Sequence, residues 1–301
     1  MFPILASDNP IHHILDKTVS GTDHITMFGK PVFTLHAVSL VVAAIVTFCI
    51  LKIAANRITV GHESEGTSRF LTKGRIPQII EVITLYLRDT VIKPVLGEET
   101  NKFLPYLLSL FFFILTCNVL GMIPFADLQV VYGKVAMESK IDWAVFGGTA
   151  TSNISVTIAL AMVSFFVIQF HAFKSLGIGG WAHHLTGGAP LYLLPIMLPI
   201  EFMGMFIKPA ALAIRLFANM VAGHTMLAVL TMFGMITFQA TQNWFMTGSV
   251  EVVSIVAAVC ISFLELFVAF LQAFIFMFLT TVFIGQMSHH GDHEEHAEAA
   301  H

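Results

Sequence analysis

Residues 249–284 read SVEVVSIVAAVCISFLELFVAFLQAFIFMFLTTVFI, without a single proline or glycine before Gly285. As one helix this segment is ~54 Å long at ~1.5 Å per residue, against a hydrocarbon core of ~30 Å. A mean tilt of ~20° does not absorb that excess. The pattern predicts one long helix strongly inclined to the membrane normal. The preceding apolar stretch, residues 190–236, poses the same problem at ~70 Å. Two long tilted helices joined by TFQATQNWFMTGS, residues 237–249, are therefore expected.

Composition agrees with a membrane setting. Of 301 residues, 56% are hydrophobic and 11% charged, and the mean hydropathy is +0.81. A soluble domain carries about 25% charged residues. The formal charge of −4 gives no support to a nucleic-acid partner. Cys49, Cys117 and Cys260 fall in apolar segments without ligand spacing and read as small buried hydrophobes. The first residues lack a basic start and a small-residue cleavage site, so no removable signal peptide is expected.

Working outward, three further spans are predicted at residues 34–55, 103–125 and 151–173. RIPQIIEVITLYLRDTVIKPVLG places Ile76, Ile79, Ile80, Ile83, Leu87 and Val91 on one face, with Glu81, Arg88 and Asp89 between. That is an amphipathic helix expected at the interface. The predicted class is an all-α integral membrane protein. It has five membrane-embedded helices plus an interfacial amphipathic helix, the last two helices being long and strongly tilted. Residues 1–33 form an N-terminal extension and residues 34–287 the membrane domain. Residues 288–301, SHHGDHEEHAEAAH, are an acidic, histidine-rich tail expected to be disordered. Arg57, Arg69, Lys73 and Arg75 follow the first span and Lys174 the third, which puts those loops on the cytoplasmic side. The N-terminus is then outside and the C-terminus inside.

Inside these segments a few polar residues need a reason. Arg215 stands in AIRLFANMVAGHTM, residues 213–226. A charge at the bilayer centre costs roughly 2.5–3.5 kcal/mol on insertion scales, and guanidinium keeps its proton at ordinary pH. At ~100° per residue, Lys208, Glu201 and Asn219 fall within ~40° of Arg215 on one flank. Gly204, Ala211, Ala218 and Ala222 flank it on the other side, a small-residue stripe that lets another helix approach closely. His224 lies on the opposite face. On the last helix, Gln272, Ser254, Glu251, Ser262 and Thr280 fall in one line with Glu265. Lines of ionisable residues at membrane depth mark ion pathways. Taken alone, Glu265 and His224 fit equally a hydrogen bond that pins two helices, and Asn219 and Gln272 fit interhelical glue. Glu201 and Lys208 also fit helix-end groups that reach the interface.

RLFANMVAGH, residues 215–224, resembles the signature of subunit a of F-type ATP synthases. PIEFMGMFIKPAALAI before it and ELFVAFLQAFIFMFLTTVFI after it resemble the flanking blocks, and TSNISVTIALA and NVLGMIPF two earlier ones. All five run in the family's order between residues 118 and 284. The resemblance implies a proton-translocating stator subunit, without a cofactor or metal and not an enzyme by itself. Arg215 matches the family's essential arginine, Asn219 the asparagine one turn later and Gln272 the glutamine of the LQAFIF-like block. His224 and Glu265 stand in the exchanged acid–base order of mitochondrial relatives, which argues that the two side chains meet. The implied partners are a rotor ring of small hairpin subunits, peripheral stalk subunits and, indirectly, an ATPase head, all held in membrane lipid. Glu251 and Ser254 join His224 and Glu265 on an expected outer half-channel; Glu201 and Lys208 stand near the cytoplasmic exit. The implied location is a bacterial plasma membrane, or alternatively the mitochondrial inner membrane.

Other classes explain less. A secondary transporter is expected to show two similar halves with broken helices, and no repeat is visible. A structural anchor leaves the polar lines unexplained. A hydrolase lacks its G-x-S-x-G elbow. HEEH in the tail lacks zinc spacing, so His289, His290, His293, His296 and His301 read as a solvated tail, with metal binding the alternative.

Overall fold

The computed structural model describes residues 26–27, 30–31, 35–58, 74–123, 151, 153–186 and 194–298. The rest of the N-terminal extension, most of the linker after the first span, the loop between the second and third spans and residues 187–193 lie outside the described residues. Residues Thr26–Met27 (β1) and Lys30–Pro31 (β2) make a minimal antiparallel pair, with Thr26 opposite Pro31 and Met27 opposite Lys30. Among the described residues, everything else of regular form is helical. α1 spans Leu35–Arg57 and α2 Arg75–Tyr86. A π-helical turn, Leu87–Ile92, and the short α3, Lys93–Leu96, lead through a 3-10 turn at Gly97–Glu99 into α4, Thr100–Met122. α5 is Ile154–Thr186, α6 Leu194–Thr241 and α7 Trp244–Glu298.

Five helical stretches are long and apolar enough to cross a membrane: Ala37–Arg57, Arg75–Met122, Ile154–Lys174, Pro195–Leu227 and Trp244–Gln286. The protein is an all-α, multi-pass membrane protein. With 48 and 55 residues, α6 and α7 are ~72 and ~83 Å long. Neither stands upright within a ~30 Å core.

Several boundaries differ from expectation. The 237–249 connection shrinks to Gln242 and Asn243, with Gln242 in the left-handed region at φ 51°. Asn243 Oδ1 accepts from the Phe245 backbone N–H at 3.0 Å, an N-cap that starts α7 early. α5 continues beyond residue 173 to Thr186, broken by Gly177 at φ 68°, a conformation that glycine tolerates. α7 runs on to Glu298, so the tail expected to be disordered is helical through most of its length. Extending a formed helix avoids the nucleation cost, and alanine and glutamate are strong helix formers. The amphipathic segment forms α2, the π-helical turn and α3, and leads directly into α4, turned by Gly97 at φ 52°. Its apolar residues divide between two directions. Ile80, Leu87 and Val91 are buried, whereas Ile76, Ile79 and Val82 are exposed.

The chain divides into two compact units. One comprises residues 1–43, 114–158 and 213–272; the other comprises 44–113, 159–212 and 273–301. In the first, Ile114, Cys117, Leu216, Met220 and Ala269 are buried. Asn118, fully enclosed, donates through Nδ2 to the Ala269 carbonyl at 3.3 Å, and its Oδ1 accepts from Thr151 Oγ1 at 3.1 Å. In the second, Leu87, Ile92, Leu107, Phe111, Phe276 and Met277 form the core. There α4 meets α5 through two polar contacts two turns apart. Tyr106 Oη lies 3.0 Å from Ser164 Oγ, and His171 Nε2 lies 3.1 Å from Glu99 Oε2. The edge of the Phe103 ring also meets His171, with centroids 4.6 Å apart.

Candidate functional site

α7 is inside out by the standard of a soluble protein. Its buried line carries the polar groups: Ser254 is 6% exposed, Glu265 5%, Gln272 3% and Thr280 0%. Its outer face carries Val252, Val253, Val256, Phe263 and Phe267, all exposed. In water such an arrangement leaves a large apolar face unpaid, whereas in lipid that face is the natural one. The line predicted from ~100° spacing is thus the buried face of the helix, apart from Glu251 and Ser262, which are half-buried.

Among the described residues, the buried side-chain polar atoms without a hydrogen-bond partner are both Glu265 oxygens and Gln272 Nε2. All three belong to the predicted line. Thr280 satisfies its own hydroxyl by donating to the Phe276 carbonyl at 2.8 Å. Stranding a polar atom in an enclosed site costs roughly 1–3 kcal/mol, more for a charged group.

α6 presents Arg215 on the opposite kind of surface. Leu212, Ala213, Leu216 and Met220 are the buried positions of that turn, whereas Arg215, Ala211, Ala218 and Ala222 are exposed. The positions 211, 215, 218 and 222 fall at i, i+4, i+7 and i+11, so they share one face. Among the described residues no ion pair ties Arg215 to a carboxylate of its own chain. Asn219 and His224 are half-buried. Glu265 reaches across to the residue before His224: its carboxylate fills the space beside Gly223, where a β-carbon would collide with Oε1 and come within 2.8 Å of Cδ. α6 and α7 thus approach each other at Gly223 and Glu265, one residue before His224.

Glu201 and Lys208 belong to the other unit. Glu201 is half-buried and Lys208 exposed, with Nζ 5.1 Å from the centroid of the Phe283 ring. Lys208 opens onto a half-open cleft whose polar lining is Ser164, Gln169, Thr280 and Gln286. Phe165, Met205, Leu212 and Phe283 form its apolar walls. Among the described residues no three histidine, cysteine or acidic side chains are grouped to hold a metal ion.

Sequence reasoning missed three features. Asn118 and Thr151 are fully buried and bonded to each other, but they stand in separate blocks without a shared periodicity. Gly223 was not distinguished from the neighbouring small residues, although a glycine inside a helix is a signal of close approach. The cleft-lining residues Ser164 and Gln169 stand in an apolar span without a spacing that marks them.

The fold defines an all-helical, multi-pass membrane protein, with a buried acid on one long helix and an exposed arginine on the other. Comparison with known proteins is specific. The chain matches the family described as ATP synthase A chain over residues 36–285, and it belongs to that family. It is 38% identical to ATP synthase subunit a 2 of Chlorobaculum tepidum, over 97% of this chain and 77% of that protein. With ATP synthase subunit a of Myxococcus xanthus the identity is 35%, over 99% of this chain and 91% of the relative. The protein of that name from Anaeromyxobacter dehalogenans is 43% identical over 73% of this chain, and the match spans about half (51%) of its length.

Proposed function

We propose that this chain is the proton-translocating stator subunit of a rotary ATP synthase, itself non-catalytic. It supplies two aqueous half-channels and sets Arg215 against a rotor ring. The observation that carries this reading is the contrast between its two ionisable centres: Arg215 is exposed on a face of small residues, and Glu265 is buried without a partner.

A ring carboxylate that has lost its proton is costly in lipid, and a fixed guanidinium stabilises it as it passes. Ala211, Ala218 and Ala222 leave room for the ring's helix to come close. Once protonated, the same carboxyl is neutral and turns away into lipid. The guanidinium also repels protons that would cross directly between the half-channels. Protons then cross only on the ring, and each charge falling through ~100 mV supplies ~2.3 kcal/mol to bias rotation.

Glu251, Ser254, Glu265 and His224 form the outer half-channel in this reading, with Asn219 and Gln272 beside the ring. Histidine suits a relay because its unperturbed pKa lies near ~6.5. Glu201, Lys208 and the cleft that Lys208 lines serve the cytoplasmic half-channel. Peripheral stalk subunits hold the chain still, and the ATPase head couples to it indirectly. The membrane is the bacterial plasma membrane, with the N-terminal extension outside and the tail in the cytoplasm.

The test is proton-driven ATP synthesis by the whole complex in sealed vesicles. Arg215→Ala is expected to abolish synthesis while leaving the complex assembled. Retained coupled synthesis overturns the assignment of Arg215.

A further inference from the structure

We propose that Gly223 is a positioning residue whose missing side chain forms the seat of the Glu265 carboxyl group. This inference rests on the reading of Glu265 as a proton-carrying group. Gly223 lies in the interior of α6, where glycine destabilises a helix by about 1 kcal/mol relative to alanine. Its backbone gives no reason for glycine, because the positive-φ glycines among the described residues are Gly74, Gly97 and Gly177. Space does. A β-carbon at 223 would strike Glu265 Oε1, lie 2.8 Å from Cδ and 3.4 Å from Cγ. Gly204 and Gly248, by contrast, have nothing within 4 Å of such a carbon.

The geometry separates position from folding. What obstructs the added methyl is the far end of a flexible side chain, not backbone, so the helices accommodate alanine by moving the carboxyl group. That displacement carries the acid away from the segment that bears His224. Both oxygens already lack hydrogen-bond partners, so no existing bond restrains Glu265 in its present place. The open space at Gly223 is the part of the seat that a β-carbon would take away.

The experiment uses the complete ATP synthase in inverted membrane vesicles and compares Gly223→Ala, Glu265→Asp, the double variant, Glu265→Gln and Gly248→Ala. ATP-driven proton pumping and its pH profile are recorded together with the amount of assembled complex. Gly223→Ala is expected to lower pumping about tenfold or more and to displace the midpoint of the pH profile, since small misplacements of a reacting group carry losses up to about a hundredfold. Aspartate is one methylene shorter, so the double variant regains at least about threefold over Gly223→Ala, a non-additive rescue. Gly248→Ala stays at the native level. Pumping by Gly223→Ala within about twofold of native with an unmoved pH profile overturns the proposal, as does a double variant no better than Gly223→Ala. If Gly223→Ala does not assemble, adding Glu265→Ala restores assembly if the two side chains collide, and failure to restore it overturns the proposal. Native pumping by Glu265→Gln defeats instead the underlying reading of Glu265. Loss in Glu265→Gln with no effect of Gly223→Ala defeats the seat alone.

Discussion

At the scale of single residues, the chain places its two costly groups in opposite surroundings. Arg215 faces outward, where a partner is needed to justify a charge at membrane depth; Glu265 is enclosed, where only a proton or a small polar visitor reaches it. The difference has a consequence for mutation. Glu265→Gln keeps the volume and removes the titrating group, so proton-coupled ATP synthesis in vesicles is expected to fall about a hundredfold, within the range for a positioned acid–base group. Glu265→Asp keeps the group and retains measurable synthesis. Equal rates for the two variants would show that the carboxyl group serves packing only. The exposure of Arg215 was legible from the small residues at its flank, because helical spacing fixes which residues share a face. The space beside Gly223 was not legible, because it depends on where a side chain from another helix ends.

Elements obey a different logic, in which close approach matters more than polarity. Gly285 of α7 packs onto α3, and a β-carbon there would lie 2.8 Å from Val95 Cγ1 and 3.0 Å from the Val95 carbonyl oxygen. Backbone does not yield as a flexible side chain does. Gly285→Ala is therefore expected to destabilise the subunit by about 1–3 kcal/mol, the usual cost of overpacking. It shows as a lowered melting temperature of the detergent-solubilised complex, while Gly248→Ala matches the native protein. Asn118 supplies a second test. Replacing it with alanine removes both bonds of a fully enclosed amide and leaves the Thr151 hydroxyl without that acceptor, while the Ala269 carbonyl keeps its place in the helix. The expected loss is about 1–2 kcal/mol, moderated by the modest strength of hydrogen bonds measured within membranes. An unchanged melting temperature would show that these groups find other partners. The sequence made the helices themselves plain through length and apolar run, and made the face of α7 plain through spacing. Bonds such as the one between Asn118 and Ala269, 151 residues apart, leave no local pattern. Helix ends were hidden for a related reason, since α7 starts where Asn243 caps it and continues through the tail by propagation.

For the whole molecule, orientation decides which of the two proposed half-channels takes protons in and which lets them out. The argument rests on lysine and arginine, which are retained on the cytoplasmic side of short loops far more often than they are translocated. Arg57 and Arg75 bound the linker after α1, and Lys174 follows the apolar run of α5. Five crossings then leave the two termini on opposite sides. The prediction is read by labelling single cysteines with a membrane-impermeant maleimide in a background without Cys49, Cys117 and Cys260. Ser288→Cys is expected to label in inverted vesicles and to be protected in right-side-out ones, with Ser7→Cys showing the reverse. If both label from one side, an even number of crossings is required. One of the long helices would then have to lie along the membrane instead of through it. That arrangement cannot serve two half-channels opening on opposite faces, because the helix bearing Glu265 or the helix bearing Arg215 would no longer connect them.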